Sequence, residues 1–138
     1  MSTVIEQPVQ ARLVASAPRM ETVPATLRYD CADPFAVRME FPGQATLEGS
    51  DVSWAFGREL LAAGIDKPAG AGDVRVRPYG YGHTVMEFHA IEGVAVVHVP
   101  THDLRLFLQR AHSAVPSGRE HLHLDLDRDL TELLRDAR

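Results

Sequence analysis

Leu27-Arg-Tyr-Asp-Cys-Ala-Asp-Pro-Phe-Ala-Val37 is the stretch whose reading decides the fold. It reads as the end of one strand, a tight connection and the start of the next. Proline fixes its own φ and drives the residue before it out of the helical region, so Asp33-Pro34 is a turn dipeptide. Phe35-Ala-Val-Arg-Met-Glu-Phe41 then alternates apolar and polar, the pattern of a strand with one buried face.

Strands continue on both sides. Gln10–Ala17 and Thr22–Tyr29 are expected as strands, joined through a polar connection at Pro18, with residues 1–9 a flexible arm and 10–138 a single domain. Pro42-Gly43 ends the third strand. Asp51–Phe56 alternates again, placing Val52, Trp54 and Phe56 on one face. Arg58–Ala63 is a short helix, and Gly64 is placed to cap it in the left-handed conformation. Residues 66–73 form a Pro/Gly loop leading into a strand at Asp73–Arg77. Thr84–Ala90 and Val94–Val99 read as a hairpin about Glu92-Gly93. Valines on both faces of its second strand mark that strand as central or covered on both sides.

The clearest helix runs from Thr101 to about Ser113. Thr101 is its expected N-cap, Asp103 suits the first turn, and Leu104, Phe107, Leu108 and Ala111 keep helical spacing. Leu106 lies off that stripe and faces outward. A last helix is expected over Asp127–Asp136, with Leu130, Leu133 and Leu134 apolar. The result is an α+β fold: a mainly antiparallel sheet of about seven strands, one short helix, and two C-terminal helices.

Composition narrows the function. The chain has 138 residues, 45% of them hydrophobic, which suits one folded core. Its formal net charge of −5 argues against a broad nucleic-acid-binding surface. One cysteine, Cys31, rules out an internal disulfide and fits a reducing cytosol. No apolar run approaches the roughly 20 residues needed to span a bilayer. The N-terminus lacks the basic and apolar regions of a secretion signal.

Five features invite a chemical reading. His121-Leu-His-Leu-Asp-Leu-Asp127, if extended, sets His121, His123, Asp125 and Asp127 on one face, a donor set for zinc or another divalent ion. The plainer reading, a solvated strand edge with an aspartate capping the helix that follows, is preferred. Gly64-Ile-Asp-Lys-Pro-Ala-Gly-Ala-Gly-Asp73 has the glycines and lysine of a phosphate loop. Its glycines lead into a strand rather than a helix N-terminus, so it reads as a connection. Val74-Arg-Val-Arg-Pro-Tyr-Gly-Tyr81 places Arg75, Arg77, Tyr79 and Tyr81 on one strand face. Arginine pairs with phosphate and tyrosine stacks on bases, making this the best single-stranded nucleic-acid patch in the chain. Its bland alternative is a charged, proline-bearing sheet edge. Cys31 sits between Asp30 and Asp33, whose charges disfavour a thiolate, so it reads as structural. His89 and His98 fall on strands and His102 and His112 on the long helix, without an activated nucleophile beside them. No catalytic residue, metal site or cofactor is assigned.

Several segments resemble, in order, those of the SsgA-like proteins, regulators of sporulation-linked cell division in filamentous actinobacteria. Leu27–Val37 is similar to their LRYDxADPYAV segment. Trp54-Ala-Phe-Gly-Arg-Glu-Leu-Leu-Ala-Ala-Gly64 resembles WxFxRDLLxxGL, and Pro68–Pro78 resembles PTGxGDVRVxP. Phe107–Arg110, Val115–Glu120 and Leu124–Asp127 are similar to the closing FLxRT, VPPGxE and DLD elements. Cys31 stands where threonine is usual, Phe35 where tyrosine is, and Arg77 where a bulky aromatic is common.

The resemblance implies a whirly-like fold that assembles as a bell-shaped homotrimer. It also implies a non-enzymatic, cytoplasmic protein found at division septa, with other SsgA-like proteins and the division protein FtsZ as partners. Arg75, Arg77, Tyr79, Tyr81 and Leu106 are the candidate interaction residues. A single-stranded nucleic-acid module of the same fold is the alternative.

Overall fold

A computed structural model describes residues 3–16, 19–43 and 49–124. Seven strands form one antiparallel sheet, β1 (Val4–Ser16), β2 (Arg19–Asp30), β3 (Ala36–Phe41), β4 (Val52–Gly57), β5 (Val74–Tyr79), β6 (His83–Ala90) and β7 (Gly93–Pro100). Their order across the sheet is β4-β3-β2-β1-β7-β6-β5. Two helices, α1 (Arg58–Asp66) and α2 (Thr101–Ala114), and a 3-10 turn at Glu120–His123 complete the described elements. The α+β class and the seven strands match the sequence reading. The helix expected over Asp127–Asp136 lies outside the described residues.

The sheet is two blades joined by a narrow bridge. β1 meets β7 only at Arg12↔His98 and Leu13↔Val97. Inward residues of both blades share one core, including Val9, Leu27, Met39, Val76, Met86 and Val99, closed by Leu61 of α1 and Leu104 and Phe107 of α2. Phe88 on β6 lies edge-on to Phe41 at the end of β3, with ring centroids 5.7 Å apart. The Trp54 and Phe56 rings of β4 pack on it at 5.3 and 6.5 Å. These contacts join strands from opposite arms of the sheet, so the sheet curls around its aromatic centre.

Several boundaries differ from the sequence reading. The arm expected over residues 1–9 is strand from Val4, paired with β2 up to Val4↔Asp30. Ile5 and Val9 are core residues there, a burial that Pro8 between them disguises in the sequence. Pro8 and Pro24 are tolerated because the ladder on the outer side of each stops short: β7 reaches only Arg12 and Leu13, and β3 only Thr26 to Arg28.

Phe35 is exposed and precedes β3, rather than opening its buried stripe. The last turn of α1 runs through Gly64 to Asp66, and Lys67 is the C-cap. Gly64 is therefore a packing glycine: a Cβ there would sit 2.4 Å from the Val76 side chain. Thr101 is the first helical residue of α2 and Pro100 the cap. The Thr101 hydroxyl is instead 2.8 Å from that of Thr84, tying the helix to β6.

The least foreseen feature is a buried arginine. Arg58 opens α1 and is 1% exposed. Its Nη1 donates to the Tyr29 hydroxyl at 3.0 Å and to the Val115 carbonyl at 2.7 Å. Its Nη2 donates to Glu120 Oε1 at 2.9 Å. The Tyr29 hydroxyl in turn donates a hydrogen bond to the Pro34 carbonyl at 2.9 Å. Burial pushes the Tyr29 phenol up to about 12, against the opposing pull of the Arg58 charge. The Glu120 carboxylate sits below its usual range, held first by its own backbone N–H, with the Gly118 N–H and Arg58 adding to the effect. Gly118 has φ +89°, a conformation glycine adopts readily, and its N–H reaches Glu120 Oε2 at 2.9 Å. A buried charge is tolerable only when paired and hydrogen-bonded. This node meets that condition at both terminal nitrogens, gathering β2, α1, the end of α2 and the 3-10 turn around one guanidinium, while the buried Nε has no hydrogen-bond partner among the described residues and lies 3.7 Å from Glu59 Oε1.

Candidate interaction surface

Both helices pack on the inner side of the sheet, leaving the outer side without a covering element among the described residues. On the β2–β3 side this outer face is ionic: Arg28 lies 3.3 Å from Glu6 and 3.7 Å from Glu40, and Arg38 lies 3.8 Å from Asp33. Exposed pairs of this kind add solubility more than stability.

The β5–β6–β7 side is different. Ladder register sets Arg75 beside Glu87, Arg77 beside Val85, and Tyr79 beside His83. Val85 and Glu87 then meet His98 and Val96 on β7. Arg77 makes a short ion pair with Glu87, whose other oxygen lies 3.0 Å from His89 Nε2. The Arg77 hydrogen bond, seconded by His89, holds the Glu87 carboxyl below its ordinary range. The Tyr79 ring meets His98 edge-on at 4.8 Å. Burial lowers the His98 pKa, reinforced by the charges of His83, Arg77 and Arg12. Tyr79 is 55% exposed and Val94 53%, so the surface is aromatic and aliphatic as well as charged. Tyr81 is fully exposed in the β5–β6 turn, where Gly80 and Gly82 take positive φ.

The structure thus brings Arg75, Arg77 and Tyr79 onto one strand face, with Tyr81 in the turn that follows. Leu106 is not among them. It is exposed on α2, whose buried stripe faces the inner side of the sheet. The sequence reading set His98 on a strand but did not place it, or Arg12, His83 and Glu87, on this face, because only strand register brings them alongside. β7 is interior to the sheet, as its valines imply, yet Val94 stays exposed and Val96 half-buried, with no covering element on the outer face among the described residues.

The other candidates resolve differently. His121 and His123 lie in a 3-10 turn, not an extended strand, so they do not share a strand face. The turn is set by Glu120 reaching back to Arg58. Asp125 and Asp127 lie outside the described residues. Residues 67–73 lead into β5, with Ala69 bridged to Val76, as a connection rather than a phosphate loop. Cys31 is buried, and burial with the Asp30 charge raises its thiol pKa, the reverse of an activated nucleophile. No described helix is long and apolar enough to cross a membrane.

Comparison with known proteins gives these features a context. The family described as "Streptomyces sporulation and cell division protein, SsgA" matches residues 23–120, a span that contains Tyr29, Arg58 and Glu120. The chain is 41% identical over 140 residues to the sporulation-specific cell division protein SsgB of Streptomyces coelicolor, covering 99% of this chain and 100% of that one. It is 42% identical over 135 residues to SsgB of Salinispora tropica, covering 96% and 94%. A solved structure from work correlating SsgB mutations with longitudinal cell division in sporulating Streptomyces coelicolor superposes with a TM-score of 0.80. Its identity is 42%, with 90% of this chain and 98% of that chain covered. The crystal structure of an SsgA-like sporulation-specific cell division protein from Thermobifida fusca gives a TM-score of 0.81 at 31% identity, covering 95% and 96%. With its fold, its length and its matched segments in agreement, the chain belongs to the SsgA family of sporulation and cell division proteins.

Proposed function

We propose that this protein is a non-catalytic scaffold of sporulation-specific cell division, which positions septa through protein contacts and counts the division-ring protein FtsZ among its partners. The observation that carries this reading is the β5–β6–β7 face, left without a covering element among the described residues, where Tyr79 and Val94 are exposed and Val96 is half-buried beside an internally neutralised ion pair. Exposed apolar area of that kind is characteristic of protein docking. In this reading the face meets further copies of the chain in a homotrimer and other SsgA-like proteins. Tyr81 and Arg75 at its margin remain open to a different partner. The protein acts in the cytoplasm at the division septum.

The second reading is single-stranded nucleic-acid binding through Arg75, Arg77, Tyr79 and Tyr81. Exposed Tyr81 and Arg75 favour it. Arg77 weighs against it, because its charge is already committed to Glu87. Co-sedimentation with polymerised FtsZ, run beside a single-stranded oligonucleotide titration at low and moderate salt, separates the two. The scaffold reading expects the chain to pellet with FtsZ polymers and leave the oligonucleotide free. Salt-sensitive oligonucleotide binding without co-sedimentation would replace it with the second.

A further inference from the structure

β2 and β3 are paired only from Thr26↔Glu40 to Arg28↔Arg38. Beyond that point they part, with Pro24 on one strand and Pro42 after the other. Neither proline has an N–H to extend the ladder. The parting opens a groove of about 580 Å³, bounded by β1 and β2 on one side, the end of β3 and the start of β4 on the other, and the first turn of α2. Its volume lies in the range of sites that hold a peptide fragment or small ligand.

The lining has two characters. Pro8, Val9, Pro24, Phe41, Pro42 and Val52 give it apolar walls. Glu40 of β3, Asp51 just before β4 and Asp103 of α2 add three acidic residues to the lining. Among the described lining residues there is no lysine, arginine or histidine. Arg28, the cation near Glu40, is shared with Glu6 on the outer face. Asp51 accepts the Gly43 N–H at 2.7 Å, which fixes its carboxylate at the start of β4.

The geometry points to this groove as the docking site for an extended, cationic peptide segment of a partner protein, one that sets a lysine or arginine between aliphatic or proline residues. Charge complementarity selects the basic residue, because a groove whose described lining holds three acids and no base, in a chain of net charge −5, repels an acidic segment. The proline and aliphatic walls suit flanking apolar side chains. Pro24 lacks the N–H that a further strand would use at its position, so recognition runs through side chains rather than through strand addition. This site is separate from the β5–β6–β7 face and does not depend on the septation reading.

The test is a synthetic array of acetylated heptapeptides carrying lysine, arginine, glutamate or aspartate between varied aliphatic and proline residues, probed with the full chain. The best binder is then titrated by fluorescence anisotropy. The basic set is expected to capture the chain and the acidic set to fail. The triple variant Glu40→Gln/Asp51→Asn/Asp103→Asn is expected to weaken the titrated peptide at least tenfold. A charge-matched control, Asp66→Asn/Asp73→Asn/Glu92→Gln, removes three carboxyl charges outside the groove and is expected to change it less than twofold. Single substitutions, each expected to cost two- to fourfold, keep the test decisive if the groove triple fails to fold. Failure of the basic set to bind, equal binding by the acidic set, or an equal loss in both triples would overturn the proposal.

Discussion

The Arg58 guanidinium and the Glu120 carboxylate meet at 2.9 Å inside the protein, though 62 residues separate them in the chain. The pair joins the first turn of α1 to the 3-10 turn after α2, with Tyr29 of β2 completing the contact on the other side of Arg58. Three of the segments that identify the family each supply one member of this node. These three segments therefore share a structural task in the scaffold.

Removing one partner of a buried pair strands the other. Arg58→Ala should destabilise the chain by about 3–5 kcal/mol, because the Glu120 carboxylate and the Val115 carbonyl lose their donor. The double variant Arg58→Ala/Glu120→Ala should lose less than the sum of the single losses. Urea denaturation of the four proteins measures that coupling. Strict additivity would show that the contact carries no energy.

Tyr29→Phe tests the same node from the other side. It deletes a hydroxyl that accepts from Arg58 and donates to Pro34, at a cost of about 1–3 kcal/mol. In a spectrophotometric titration of the native protein, one of the three tyrosines should ionise only near pH 12, and that step should vanish in Tyr29→Phe. Persistence of the late step in the variant would assign it elsewhere.

Gly64→Ala should destabilise by about 1–3 kcal/mol through overpacking, since the new methyl meets Val76 at 2.4 Å. A C-capping role would instead make the cost independent of Val76. Thermal melts of Gly64→Ala alone and combined with Val76→Ala separate the two: relief of the Gly64→Ala penalty in the double variant is the packing result.

Acid should weaken the β5–β6–β7 side. The folded His98 pKa is depressed, so between that value and the ordinary 6.5 the unfolded chain binds a proton that the folded chain does not. The contribution of His98 is present above pH 6.5 and is lost as pH falls toward the folded value. Glu87 acts in the same direction at lower pH: its folded pKa is depressed below 4.5, so its contribution is lost on further acidification. A stability profile from pH 7 to 4 should fall, and His98→Gln should flatten its upper part. An unchanged slope in that variant would remove His98 from the account.

The sequence carried the strands well wherever alternation was strict, as in Val37, Met39 and Phe41 or Val74 and Val76. It failed where two demands met at one residue. Pro8 disguised a strand whose proline faces an unpaired edge. Gly64 looked like a terminator because glycine serves both caps and close approaches, and only the position of Val76 tells them apart. Nothing local in the sequence marks Arg58 as buried. Its partners come from Tyr29 and Glu120, and the only sequence clue was that each stood in a family-like segment. The outer-face residues were half legible. Arg75, Arg77 and Tyr79 follow from strand periodicity, whereas Glu87 and His98 join them through a register that pairing alone sets.

The central claim is that this chain positions septa, and deletion of its gene in a sporulating host that lacks other SsgA-like proteins tests it most directly, with microscopy of the sporulation septa as the readout. The account predicts missing or misplaced septa, restored by the wild-type chain. Septa of normal number and spacing in the deletion strain would contradict it.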